Sequence, residues 1–417
     1  MKINKNNLFC FVLTFSYLFL TLVGTKFLAG EGHVLDVAQT GESDPLKQIL
    51  FVLILLLAIF DCFVRGKLSS IKRIAGPLYF ILAFFVYACA STFWSEVPFI
   101  TFKRIVLTSI VFLIPLLLAL SYDRNILFKN LVTSLTIIVF LSILLSIFHP
   151  AAVHTLDTLD EQLVGNWKGL FTHKNRAGAV AAILTGILLI SFWVRKDKKY
   201  FAFAIVSFLF LVQTVSKTSI FLLVPCFLFV FGLVRFRLIT NRYYILVAIL
   251  VTSPLLYYGL VSFLVLLESP ESLTGRAMIW QVVGNIITDN PILGVGYSSV
   301  YHVGMGSILF DYADSWVEFV AHGHNGYLDL VLYLGFVGLF GYLFFFIYPY
   351  FKYSLILTRE KLSVDDSIIV LSSVFVGVFF VLHNMTESSF FDTTRHGWVF
   401  FSFFFPILVV MNTYRKD

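Results

Sequence analysis

Twelve apolar runs, each bounded by polar or charged residues, constrain this chain to a bundle of membrane-crossing helices. They cover residues 8–28, 49–64, 77–93, 105–120, 126–148, 177–194, 201–215, 220–234, 243–267, 326–350, 368–382 and 398–411. At about 1.5 Å per helical residue, most can cross about 30 Å of hydrocarbon. Composition agrees, with 59% hydrophobic and only 13% charged residues against roughly 25% charged in soluble domains. The expected fold is all-α: an integral membrane protein of about 12 transmembrane helices, forming one polytopic domain over residues 1–417. The first run exceeds a secretory apolar segment and has no clear small-x-small cleavage site after it, so it reads as an anchor.

An even number of crossings puts both termini on one side, and the positive-inside rule assigns that side to the cytoplasm. Basic clusters at Arg65 to Arg73, Arg195 to Lys199, Arg235 to Arg242 and Lys352 to Lys361 then share the inner face, which collects 20 of the 30 Lys and Arg residues. The net charge of +6 thus reflects topology and calls for no nucleic-acid partner. The same parity argument divides 201–234 into two short spans. It leaves Lys217 in the polar link Ser216-Lys217-Thr218-Ser219, below the membrane surface in a polar recess, where an ionisable residue is a functional suspect. All four cysteines lie within apolar runs, so neither a disulfide framework nor a zinc motif is indicated.

The long outer segments are 29–48, 150–176 and 268–325, and the third holds an amphipathic helix near 275–289. There Ile279, Val282, Val283, Ile286 and Ile287 recur at helical spacing and Thr274 is the candidate cap. Such a helix lies on the outer leaflet or roofs a cavity. Arg276 falls in its first turn, where the helix dipole disfavours a cation unless an anion joins both.

Two further polar clusters open onto spans from the same face. His173-Lys174-Asn175-Arg176 leads into the run at 177 and offers many donors to phosphate oxygens, Arg's planar fork suiting them best; anchoring at the headgroup layer is the alternative use for Lys174 and Arg176. His322-Gly323-His324-Asn325 leads into the run at 326. Zinc helices place their histidines four apart, and no third ligand is fixed by spacing here, so no metal and no cofactor is expected. A histidine at a helix start is kept neutral and able to accept a proton, which makes His324 the candidate general base. All nine histidines fall at or beside this outer face, together with Lys174, Arg176, Lys217, Arg276 and Arg395.

These residues resemble the bacterial O-antigen ligase and O-antigen (exopolysaccharide) polymerase superfamily of polytopic membrane glycosyltransferases. His324-Asn325, nine residues and then Gly335-Phe336-Val337-Gly338 are similar to the superfamily's His-Asn-x9-Gly-x-x-Gly pattern. Phe171-Thr172-His173-Lys174-Asn175 with Gly178 looks like its Phe-x-His-Lys-Asn-x-x-Gly segment. Thr274-Gly275-Arg276, Asn290-Pro291 and Gly294-Val295-Gly296-Tyr297 have counterparts too, as does Trp94-Ser95 with Lys103-Arg104. One departure is Ser216-Lys217, where the superfamily often has Ser-Arg; lysine keeps the charge and loses the bidentate fork.

The resemblance implies transfer of a glycan from an undecaprenyl-diphosphate carrier to an acceptor hydroxyl on the periplasmic or outer face of the bacterial cytoplasmic (inner) membrane, without a metal. In that reading Arg276 and Arg176 act on the diphosphate and His324 takes the acceptor proton. Lys217, His173, Lys174, His322, Asn325, Tyr297 and Arg395 bind diphosphate or glycan, and Glu318 or Glu387 could replace His324 as base. Polymerisation of surface or exopolysaccharide repeat units is preferred. Ligation to lipid A core or protein is the second reading, and a lipid-linked sugar transporter or flippase the third. Expected partners are the lipid-linked donor, the glycan or lipid A core acceptor, the bilayer and a chain-length regulator.

Overall fold

The computed structural model describes residues 5–27, 44–155, 163–235, 276–358, 360–392 and 395–414. The expected span at 243–267, His33 and the candidate cap Thr274 lie outside them. The described chain is helical, with one isolated antiparallel bridge between Val153 and Trp167. Its helices are α1 Lys5–Leu22, α2 Pro45–Val64, α3 Ala75–Ala90, α4 Pro98–Ser121, α5 Arg124–Phe148, α6 Lys174–Arg195, α7 Lys198–Gln213, α8 Lys217–Arg235, α9 Arg276–Asp289, α10 Gly326–Tyr342, α11 Tyr348–Thr358, α12 Val364–His383 and α13 His396–Thr413. Among the described residues ten stretches are long and apolar enough to cross a membrane, α10 and α11 forming one of them through a π-helical turn. The 16-residue α7 is a further, shorter helix, and the chain reverses between it and α8 at Val215, whose φ is 50°.

Short polar side chains set where these helices begin. Asp44, Asp123, Asp197 and Ser363 each accept a hydrogen bond from a first-turn N–H of α2, α5, α7 and α12, satisfying donors that have no intrahelical partner. Burial then sorts the helices. The window of α13 is 83% buried and that of α6 78%, whereas α2 is 22% buried, so α6 and α13 are central and α2 turns most of its surface to lipid. Close approach at the centre needs small residues: a Cβ on Gly186 of α6 would lie 2.2 Å from the Phe375 ring of α12.

Helix α10 is broken inside its span, and the segment following α9 repairs it. Gly335 has φ 66° and ψ −173°. The carbonyls of Leu332 and Tyr333 accept from the N–H groups of Val295 and Gly296, while Phe336 and Val337 donate to the carbonyls of Pro291 and Ile292. Lipid supplies no such partners, so a helix can break at depth only where protein replaces them. A Cβ on Gly335 would sit 2.0 Å from the Ile292 carbonyl oxygen, and one on Gly294 2.6 Å from the Gly335 nitrogen. The two glycines quoted in the sequence resemblance thus permit contact between backbones.

The stripe on α9 is buried against protein. Ile279, Val283 and Ile286 join Val295, Val300, Tyr301, Ile308, Leu309, Val317 and Leu332 in a second apolar cluster, with Val282 and Ile287 packed on it. The helix is therefore seated on its own loop and the N-terminal turns of α10, with Arg276 at its leading end.

Candidate active site

One buried carboxylate gathers polar segments at one end of the bundle. Glu387 follows α12 and is 7% exposed. Its Oε1 accepts from Asn175 Nδ2 at 2.8 Å and from Arg276 Nη2 at 3.3 Å, and its Oε2 lies 3.7 Å from His324 Nδ1. Arg276 also donates through Nη1 to the Thr386 carbonyl at 2.8 Å. The anion that a cation at the start of α9 requires is thus supplied by residue 387. Burial raises a carboxyl's pKa, yet His324, Arg276 and His383 outweigh it and hold Glu387 well below the usual carboxylate range.

The first turn of α6 forms one wall. His173 caps the helix, its Nδ1 accepting from Asn175 N at 3.1 Å. The ring of buried His154 stands 5.3 Å away, and its Nε2 accepts from Lys174 N. Burial pushes the His173 pKa down to about 3, aided by His154, His324 and Lys174 and opposed by Glu387, so the ring is neutral at physiological pH. Lys174 Nζ reaches the Val215 carbonyl at 3.4 Å, which ties this wall to the link before α8. Arg176, half-buried in the same turn, acts electrostatically on His396 at the start of α13.

The opposite wall is the turn into α10. Asn325 is the cap, its Oδ1 accepting from the N–H groups of Tyr327 and Leu328, and its own N–H donates to Ser388 Oγ at 3.1 Å. His324 therefore precedes the cap and stands outside the first helical turn where the sequence put it, leaving Glu387 as its near charge. Its φ is 52°, a left-handed conformation that costs a non-glycine residue about 1–2 kcal/mol. The rings of His322 and His324 lie 4.0 Å apart, and His322 Nδ1 accepts from His324 N at 3.3 Å. Burial, then His324, Arg395, His173 and Arg276, lower the His322 pKa well below its ordinary value.

The remaining candidates are placed less uniformly. Exposed Lys217 begins α8, next to Thr218, whose Oγ1 lies 3.4 Å from Thr386 Oγ1. Arg395 precedes α13, 3.7 Å from Asp392, and acts on His322 and His396. Tyr297 is buried, its hydroxyl donating to the Phe391 carbonyl at 2.5 Å beside Thr108 Oγ1 at 2.7 Å. Glu318 lies in a short turn packed against α9.

His154 and Ser388 are contributors to which the sequence assigned no role, whereas Asn175 was expected among the donors of the His173 to Arg176 cluster. His154 was expected at the same face as the other histidines, but 20 positions separate it from Lys174, so no spacing pointed to their contact.

His322, His324 and Glu387 each bring one ligand atom within 4.8 Å of the others. Spacing alone gave no third ligand; residue 387 provides one across the fold. The set suits a metal poorly, because Arg276 and Asn175 already occupy Glu387 Oε1 and the Nδ1 of His322 is engaged by backbone. A divalent cation would also face the Arg276 guanidinium.

Fold and site together define a polytopic membrane protein with a polar, cation-rich mouth at one end of its bundle. Residues 163–343 match the family model described as O-Antigen ligase, a segment that includes the α6 turn, Arg276 and the histidine turn but ends before Glu387. A Rickettsia conorii protein named "Putative polysaccharide ligase" is 36% identical over 88 residues, and a Rickettsia felis protein of the same name is 35% identical over 88 residues. Each alignment spans 21% of this chain and 21% of the relative. These findings support the O-antigen ligase superfamily, which the chain resembles.

Proposed function

We propose that the protein transfers a glycan from an undecaprenyl-diphosphate carrier to an acceptor hydroxyl at the mouth formed by α6, α9, α10 and the segment after α12. The observation that carries this reading is the meeting of Arg276, Asn175 and His324 on the carboxylate of Glu387. The acceptor oxygen attacks the anomeric carbon as the bond from that carbon to the diphosphate oxygen breaks. The electron pair leaves with undecaprenyl diphosphate and the acceptor proton passes to His324, which Glu387 orients and stabilises once charged. Arg276 and Arg176 stabilise the negative charge developing on the leaving group, with Lys217 assisting. Lys174, His173, His322, Asn325 and Arg395 line the diphosphate and glycan path, and no metal takes part.

Polymerisation of repeat units remains the preferred outcome, because the Phe-Thr-His-Lys-Asn segment, the Ser-Lys-Thr-Ser link and residues 384–388 resemble the exopolysaccharide polymerase branch; ligation is the second reading. The site faces the periplasm or exterior, and both termini face the cytoplasm. Purified protein in nanodiscs, mixed with a lipid-linked repeat unit, tests the reaction. Release of undecaprenyl diphosphate together with a longer glycan is expected, and a chain that moves the substrate across the bilayer without releasing it would be a transporter. Glycans from a deletion strain separate the first two readings: long chains lost from every carrier mean polymerase, and long chains stranded on undecaprenol mean ligase.

A further inference from the structure

We infer that Asp329 and Trp280 are positioning residues that clamp the peptide units on either side of Gly323, and so hold His322 and His324 against Glu387. This rests on the reading of His324 as the base. Asp329 lies in the first turn of α10 and is 5% exposed. Its Oδ2 accepts from Gly323 N at 3.3 Å, and its Oδ1 accepts from the Tyr301 hydroxyl at 3.0 Å. From the other side the indole of Trp280 donates to the Gly323 carbonyl at 2.7 Å.

A peptide unit is planar, so fixing one N–H or carbonyl fixes the orientation of the whole unit. Asp329 fixes the unit between residues 322 and 323. Trp280 fixes the unit between 323 and 324, which His322 Nδ1 also holds through His324 N. With both units fixed, φ and ψ of Gly323 are set, and with them the direction in which each imidazole leaves the backbone. The left-handed His324 persists because its surroundings over-determine it. Gly323 suits the position because a Cβ there would lie 2.2 Å from Asp329 Oδ1 and 2.9 Å from the Tyr301 hydroxyl oxygen.

Trp280 stands four residues after Arg276, on the same face of α9. One helix therefore brings the guanidinium to Glu387 and the indole to the histidine turn, so cation and base are set from a common element.

Full-length protein in nanodiscs tests the clamp with two readouts, turnover of a lipid-linked repeat unit and the rate at which diethyl pyrocarbonate modifies His322 and His324, followed by mass spectrometry. In Asp329→Ala, kcat is expected to fall about 10- to 100-fold, as for a catalytic group displaced by about 1 Å, with KM for the donor within about threefold. Asp329→Asn keeps an acceptor oxygen and restores most of the rate. Trp280→Phe removes only the indole donor and lowers kcat about 5- to 10-fold, a milder displacement of the same kind; it decides the matter if Asp329→Ala does not fold. Modification rates rise several-fold in each impaired variant. Wild-type kcat and modification rates in folded Asp329→Ala and Trp280→Phe would overturn the clamp while an inactive His324→Ala upheld the base. Raised modification rates beside a fully active His324→Ala would keep the clamp and remove the base.

Discussion

The two ends of the helix bundle handle charge differently. At the end where α2 and α6 finish and α5 and α12 begin, three arginines each hold a carboxylate of their own. Arg65 grips Asp61 at 2.9 Å, Arg124 holds both oxygens of Asp366 at 2.5 and 2.9 Å, and Arg195 pairs with Asp365. At the other end a single carboxylate, Glu387, serves Arg276, Asn175 and His324, while Arg176, Lys174 and Arg395 crowd nearby positions. Matched pairs anchor helix ends. Several donors gathered on one buried carboxylate distinguish this end from the anchors, and that gathering is what the proposal of a bound diphosphate builds on.

Removing a charge at each end should break the comparison most visibly. Arg276→Ala and Glu387→Gln are each expected to lower turnover per folded molecule about 10²- to 10³-fold, the scale of losing one preorganised group from a low-dielectric site. Near-normal turnover in either would make this end another anchor. Arg124→Ala should do the opposite: a loss of about 1–2 kcal/mol in stability, between the values for exposed and buried pairs, with turnover per folded molecule unchanged.

Acid titration sharpens the contrast further. His173 and His322 have pKa values lowered in the folded state, so the unfolded chain binds their protons first and stability falls as pH drops below the ordinary histidine value of 6.5; for His173 the loss continues to about pH 3. The depressed Glu387 acts in a lower window, its contribution complete above the ordinary glutamate value of 4.5 and lost as pH falls through its lowered one. His173→Asn keeps a capping oxygen and removes one titration, so its melting temperature should decline less steeply between pH 6.5 and 4 while matching wild type near neutrality. An unchanged slope would show that His173 is not buried in its neutral form. The smallest expected effect is that of a chelator: EDTA should leave turnover unaltered. Loss that added Mg2+, Mn2+ or Zn2+ restores would make His322, His324 and Glu387 metal ligands.

How much of this could be read from the sequence depended on distance along the chain. The spans were legible because hydrocarbon thickness imposes a minimum apolar length, and Arg276 could be flagged because a cation in a helix's first turn contradicts the dipole. The anion that resolves the contradiction lies 111 residues away in Glu387, which the sequence offered as an alternative base and not as the partner of Arg276. The break in α10 was equally hidden. Gly335 and Gly294 were visible as glycines, but only the hydrogen bonds exchanged between the segment after α9 and α10 give the reason for them. Tyr297 shows the converse: a motif residue whose hydroxyl is taken up in packing between Thr108 and Phe391.

The central claim is that Arg176, Arg276 and Lys217 serve one diphosphate beside Glu387, and direct binding tests it. Titrating undecaprenyl diphosphate into the nanodisc-embedded protein, with undecaprenol as the uncharged control, should give saturable binding of the diphosphate alone, weakened about tenfold or more in Arg176→Ala and in Arg276→Ala, as for loss of a charge-assisted bond. Equal affinity for the diphosphate in wild type and both variants, or binding of undecaprenol as tight as that of the diphosphate, would contradict it.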